Sequence, residues 1–134
     1  MSASESPKDR KIIGLDQDRI VVQDVDGKIQ VLHVYDTDGN RVGYLIGTVS
    51  EKSGTIVEAS AKDVNHRRML VESYIKLLQR GDFAEVRASY LPNKKDATID
   101  IKFWNSMGFV AHPDEKYLDD FNIPVIPMNR QLIH

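Results

Sequence analysis

The sequence predicts one α/β domain, a mixed and mostly antiparallel sheet carrying at least two helices. Three observations predict it. β-Rich runs in the first half are separated by Asp26-Gly27 and Asp38-Gly39, and glycine accepts the positive φ that tight turns between twisted strands demand. Two stretches, opening after Asp63 and Asp96, carry apolar residues at helical spacing. Further alternating runs lie between and after those helices, so strands and helices are interleaved in the second half. At 134 residues the chain is long enough for one core, burying roughly two thirds of its unfolded surface. Residues 1–11 ("MSASESPKDRK") are serine-rich and polar and read as a flexible tail, which leaves 12–134 as the domain.

From Arg19 the chain alternates strand and turn: "RIVVQD", "VDGK", "IQVLHVYD", "TDGN", "RVGYLIGTVS", "EKSG", "TIVEASAK". This is an antiparallel meander. The segment starting at Asp36 has the aspartate spacing of a calcium loop, but Arg41 and Gly47 stand where such a loop needs Gly and Glu, so it reads as a hairpin turn. In the last run, strict alternation puts Thr55, Val57, Ala59 and Ala61 on one face and Ile56, Glu58 and Ser60 on the other. Sharing a face with Ile56, the Glu58 carboxylate would be partly desolvated and its pKa pushed upward, which suits a general base near neutral pH.

Next, "DVNHRRMLVESYIKLLQRG" reads as an amphipathic helix with Leu70, Val71, Tyr74, Ile75 and Leu78 inward, Asp63 or Asn65 capping its start and Gly81 stopping it. Its first turn holds His66, Arg67 and Arg68. Cations are unfavourable there, at the positive end of the dipole, and an anion such as phosphate would relieve them. "FAEVRASYLP" then alternates as a strand with Ala84, Val86, Ala88 and Tyr90 on one face and Pro92 at its end. A second helix is predicted from an Asp96 cap to Gly108, with Ile99, Phe103 and Met107 on one stripe and Ile101 and Trp104 adjacent. "FVAH" and "NIPVIPMNRQL" read as closing strands, the latter expected at an edge or with a bulge because it carries Pro124 and Pro127.

Composition excludes several classes. The hydrophobic fraction of 41%, charged fraction of 28% and net charge of −2 are those of a globular protein with no basic field for nucleic acid. With no cysteine there is neither a disulfide framework nor a thiolate nucleophile. No apolar run approaches a membrane span and no signal peptide is seen, so the default compartment is the cytoplasm. His33, His66, His112 and His134 lack metal-ligand spacing, and no metal is expected.

The order of elements, with "IKFWNSMGFV" at the end of the second predicted helix and "IPVIPMNRQL" as the last strand, resembles the GNAT (N-acetyltransferase) superfamily from about residue 28 to residue 132. In that resemblance Trp104 stands where many members carry tyrosine, four positions before a Gly-Phe pair. It implies a sheet splayed between "TIVEASAK" and "FAEVRASY" with coenzyme A in the gap. The pantetheine arm would pair with Ala59, Ser60 and Ala61, and the pyrophosphate would sit on the turn bearing His66, Arg67 and Arg68. The implied activity is acyl-CoA-dependent N-acyltransfer, acetyl-CoA being the co-substrate and Glu58 the base that deprotonates the amine. Indole offers no acidic proton, so the acid for the leaving thiolate is Tyr90 or, a thiolate being a good leaving group, water. The family's glycine-bearing phosphate loop is replaced by "HRRMLV", where Arg67 and Arg68 would substitute charge-assisted contacts. The usual N-terminal helix pair is expected to be lacking, which leaves the acceptor side open for a macromolecular amine or completed by a second subunit in a homodimer. The alternative is a non-catalytic GNAT-like binding module that interacts with a protein partner.

Overall fold

A computed structural model describes residues 18–132, and the tail expected at residues 1–11 lies outside them. Strands β1 (Arg19–Val25), β2 (Ile29–Tyr35), β3 (Arg41–Ser50) and β4 (Ser53–Ala61) form the expected meander. Helix α1 (Val64–Arg80), strand β5 (Glu85–Tyr90) and helix α2 (Ala97–Ser106) follow, then β6 (Val110–Ala111), a 3-10 turn at Pro113–Glu115, β7 (Tyr117–Leu118) and β8 (Pro124–Gln131). The sheet runs β1-β2-β3-β4-β5-β8-β6, with β7 paired to β8. β4 and β5 pair parallel and the other pairs antiparallel. Among the described residues no helix precedes β1.

The local chemistry explains most of these boundaries. Asp26 and Gly27 both take positive φ, 58° and 69°, the geometry of the two-residue turn that matches strand twist. At the next hairpin the Asp36 carboxylate accepts the amides of Asp38 and Asn40 at 2.9 Å. Asp63 caps α1, its Oδ1 accepting the His66 amide at 2.9 Å. The inward stripe of α1 is as predicted: Leu70, Val71, Tyr74, Ile75 and Leu78 are buried.

That stripe lands on a notch. Tyr74 is wholly buried against β3 and β4, where a Cβ added to Gly47 would stand 2.4 Å from its Cζ and one on Gly54 would stand 2.5 Å from Leu78 Cδ1. The Tyr74 hydroxyl donates to the Thr48 carbonyl at 3.0 Å, and burial pushes the phenol pKa well above its ordinary value. α2 covers the same face of the sheet: the Arg67 guanidinium lies 4.4 Å from the Phe103 ring centroid, and Arg68 Nη1 donates to Ser106 Oγ at 3.1 Å. One hydrophobic cluster joins Ile20, Leu32, Leu45, Tyr74, Val86, Trp104 and Met128.

Four expectations are corrected. First, β4 starts at Ser53, because Ser53 and Gly54 are buried where the hairpin passes under Leu78. Second, strict alternation along β4 fails. Ile46 pairs with Glu58 and the next residue, Gly47, pairs with Ile56, so Val57 is an extra residue, a β-bulge. Ile56 faces the core, Ala59 and Ala61 take that face after the bulge, and Glu58 turns to the opposite, exposed face. Glu58 therefore shares no face with Ile56, and the desolvation expected for it does not arise.

The third correction concerns α2, where Ile99 is 66% exposed and the inward row is Ala97, Phe103, Trp104 and Met107 with half-buried Asp100. Asp100 takes the inner position because Arg67 and Lys94 neutralise it there. Fourth, β8 is an interior strand, between β5 and β6. Pro127 is tolerated because its missing donor faces the side on which β6 has ended, and its carbonyl accepts the His112 amide at 2.9 Å.

Gly47→Ala should cost about 1–3 kcal/mol or more, since the buried Tyr74 ring cannot move aside. Gly54→Ala should cost less, its nearest atoms being the terminal methyls of Leu78 at 2.5 and 2.6 Å, with the Tyr74 hydroxyl farther off at 3.0 Å. Urea midpoints of the two variants check this, and equal losses would contradict a rigid Tyr74 seat.

Candidate functional site

β4 and β5 pair over three residues, Ser53, Gly54 and Thr55 with Glu85, Val86 and Arg87, and then separate. The closed end is laced by Glu85. Its carboxylate accepts Ser53 Oγ at 3.0 Å, Arg87 Nε at 2.6 Å and Asn129 Nδ2 at 2.9 Å, which ties β4, β5 and β8 together. Those donors, Asn129 first, hold the Glu85 pKa below its ordinary value. Beyond Thr55 the bulge bends β4 away, and residues 56–61 have no strand neighbour on the β5 side among the described residues.

The gap is a cleft of about 560 Å³. One wall is the β4 segment from Ile56 to Ala61, the other is Ser89, Tyr90 and Leu91, and Arg67, Lys94, Asp100 and Trp104 complete it. Seven of the sequence-predicted residues thus come together: Glu58, Ala59, Ser60, Ala61, Arg67, Tyr90 and Trp104. His66 and Arg68 do not line it.

Glu58 sits at the exposed lip. The Tyr44 hydroxyl donates to its Oε2 at 2.5 Å, and this bond raises the Tyr44 pKa because the carboxylate disfavours a second negative charge beside it. The opposite oxygen, Oε1, is left for a second donor. Tyr90 ends β5 with its side chain 9% exposed, and Trp104, 3% exposed, is held edge-on between Phe103 and Phe109 at 5.1 and 4.9 Å.

The first turn of α1 is already neutralised from within. His66 Nδ1 meets Asp63 Oδ2 at 2.9 Å and its Nε2 meets Asp18 Oδ2 at 2.9 Å. Burial pulls the imidazole pKa down, but the hydrogen bonds to Asp63 and Asp18 outweigh it and the net shift is upward. Arg67 Nε donates to the Ala59 carbonyl at 2.9 Å and its Nη1 to Asp100 Oδ1 at 3.2 Å. Arg68 Nη1 donates to Ser106 Oγ and Met107 Sδ. The anion that the sequence demanded at this helix start is supplied for His66 and Arg67 by Asp18, Asp63 and Asp100.

Three cleft-side residues escaped sequence reading. Asp100 was legible as the residue four before Trp104, on one helical face. Tyr44 required the cross-strand register, and Lys94 lies in an irregular segment with no periodic signal. A second cavity of about 570 Å³ is lined by Gln79, Gly108, Val110, His112, Asn129, Arg130 and Gln131. Within it His112 is bonded to Asn129 at 2.6 Å and Arg130 to the Met107 carbonyl at 2.8 Å. Among the described residues no helix is long and apolar enough to cross a membrane, and no cluster of three or more metal-ligating side chains occurs.

No protein-family model and no curated protein matches the sequence. Solved structures match in fold. A putative acetyltransferase of the GNAT family from Desulfovibrio desulfuricans superposes with a TM-score of 0.68 at 12% identity, over 79% of this chain and 71% of that one. The ribosomal-protein-S18-alanine N-acetyltransferase of Escherichia coli gives 0.64 at 14% identity, over 83% and 74%. PaiA N-acetyltransferase of Thermoplasma acidophilum, solved in complex with coenzyme A, gives 0.61 at 13% identity, over 78% and 61%. The chain has the GNAT fold.

The two charge clusters predict opposite pH dependences. His66 has a raised folded-state pKa, so its contribution is full below the ordinary imidazole value of about 6.5 and is lost as pH rises through the folded value. Glu85 has a lowered one, so its contribution is full above the ordinary carboxylate range and is lost as pH falls through the folded value. Between about pH 6 and pH 8 the melting temperature of wild type should therefore fall more than that of His66→Gln. Parallel curves would show that the histidine clamp contributes nothing.

Proposed function

We propose that the chain is an acyl-CoA-dependent N-acyltransferase that moves an acetyl group from acetyl-CoA to an amine, with a macromolecule as acceptor. The observation that carries this reading is the open edge of β4, running into a cleft whose lip bears Glu58. An unpaired strand edge takes an extended, amide-bearing chain by main-chain hydrogen bonds, and pantetheine is such a chain. In this reading Ala59, Ser60 and Ala61 hold the arm. The thioester supplies an activated acyl group.

Glu58 binds the acceptor amine through Oε1 and takes its proton as nitrogen attacks the thioester carbonyl. Tyr44, bonded to Oε2, fixes the carboxylate's rotamer. As the carbon–sulfur bond breaks, the Tyr90 phenol gives its proton to the departing sulfur, and the proton taken by Glu58 returns to the phenolate through solvent. Trp104 is a wall of the cleft. Of the three basic residues in the first turn of α1, Arg68 is the one whose partners are neutral, so it is assigned to phosphate. The exposed lip suits an acceptor too large for an enclosed pocket. One observation favours the second reading, a binding module for a protein partner: Arg67 already occupies the Ala59 carbonyl.

Saturating acetyl-CoA at a hundred times its dissociation constant should add about 2.7 kcal/mol and raise the melting temperature by several degrees. An unchanged melting temperature would leave the binding module as the surviving reading. Glu58→Gln should bind acetyl-CoA nearly as before while transfer to a lysine-containing peptide falls ~100-fold or more. Arg68→Ala should weaken coenzyme A binding, and the wild-type affinity should fall more steeply with added salt than that of the variant.

A further inference from the structure

The structure assigns Arg67 a role opposite to that of a phosphate ligand: we propose that it gates the open edge of β4, its guanidinium occupying the Ala59 carbonyl until the link to Asp100 is released. The identity of the ligand admitted, coenzyme A, rests on the acyl-transfer reading.

An extended chain adds to a strand edge by taking its free carbonyls and amides in turn. On β4 the Ala59 carbonyl faces the cleft and is bonded to Arg67 Nε at 2.9 Å. The guanidinium is also held by Asp100 Oδ1 at 3.2 Å and lies 4.4 and 5.3 Å from the ring centroids of Phe103 and Trp104. It therefore straps β4 to α2 across the cleft that a ligand arm must enter.

The strap is built to open. The Arg67 and Asp100 side chains keep 22% and 19% exposure, so the guanidinium can swing toward water instead of into the core. Lys94 Nζ stands 3.9 Å from the other Asp100 oxygen, so Asp100 keeps a cation when Arg67 swings away. No carboxylate is left buried and unpaired, which is what makes breaking such pairs costly elsewhere. A ligand that binds only the open form has its apparent affinity reduced by the open fraction.

Trp104, the chain's sole tryptophan, is 3% exposed beneath the strap and reports its state without any ligand. Asp100→Asn keeps side-chain volume and an acceptor oxygen but removes the charge that holds Arg67, so acrylamide should quench Trp104 fluorescence more strongly than in wild type. Coenzyme A titrated into Asp100→Asn and Arg67→Leu should bind about three- to tenfold more tightly. Unchanged quenching in a folded Asp100→Asn overturns the gate. So does a wild type that binds coenzyme A as tightly as Arg67→Leu, or more tightly. Stronger quenching with no coenzyme A binding to any of the three proteins upholds the gate and removes the acyl-transfer reading.

Discussion

The phenol of Tyr74 lies where two side chains would otherwise be, against Gly47 of β3 and Gly54 of β4, and its hydroxyl is satisfied by the Thr48 carbonyl. A helix can approach a sheet this closely only where the sheet has no Cβ in the way. With Tyr74 seated, the azimuth and height of α1 are set. Arg67, two turns earlier on nearly the same face, must then point along β4 past the bulge, where the Ala59 carbonyl is waiting. The position of the guanidinium in the cleft follows from an aromatic ring seven residues away.

The cleft itself is the consequence of an incomplete ladder. Parallel pairing between β4 and β5 lasts three residues and is reinforced by Glu85, which draws donors from three strands at the vertex. Past that point the Val57 bulge turns β4 aside and exchanges which residues face the core. Unpaired main-chain groups at a strand edge are costly when dry and sticky when wet. At Ala59 the chain meets this with Arg67, so the opening in the sheet is the reason a side chain is held across it.

Much of this was legible. The Asp-Gly turns, the meander, the α1 stripe from Leu70 to Leu78 and the Met107-Gly108-Phe109 corner come from local chemistry, and local chemistry is what a sequence displays directly. The cleft residues on β4, together with Tyr90 and Trp104, were reachable because they belong to the order of elements. The errors have one character. A period of two does not reveal a bulge, so alternation alone puts Glu58 on the face of Ile56. Hydropathy cannot see a paired carboxylate, so it points Ile99 inward, whereas Arg67 makes the inner position favourable for Asp100. Pro127 pointed to a sheet edge because the sequence does not show where a two-residue neighbour strand stops.

The basic first turn of α1 shows how a departure in sequence becomes a departure in electrostatics. A glycine-bearing loop presents bare amides to an anion and needs no internal counter-charge, because it brings no cationic side chains of its own. "HRRMLV" brings a histidine and two arginines to a positive helix end. Left unpaired they would destabilise the start of the helix, and the fold answers with Asp18 and Asp63 on His66 and Asp100 on Arg67. Those carboxylates lower the local potential that a diphosphate would feel. A phosphate-bearing ligand must therefore meet Arg68, whose partners Ser106 and Met107 carry no charge, or displace an internal carboxylate. On the acyl-transfer reading, recognition would therefore lean on the β4 edge more than on the helix terminus.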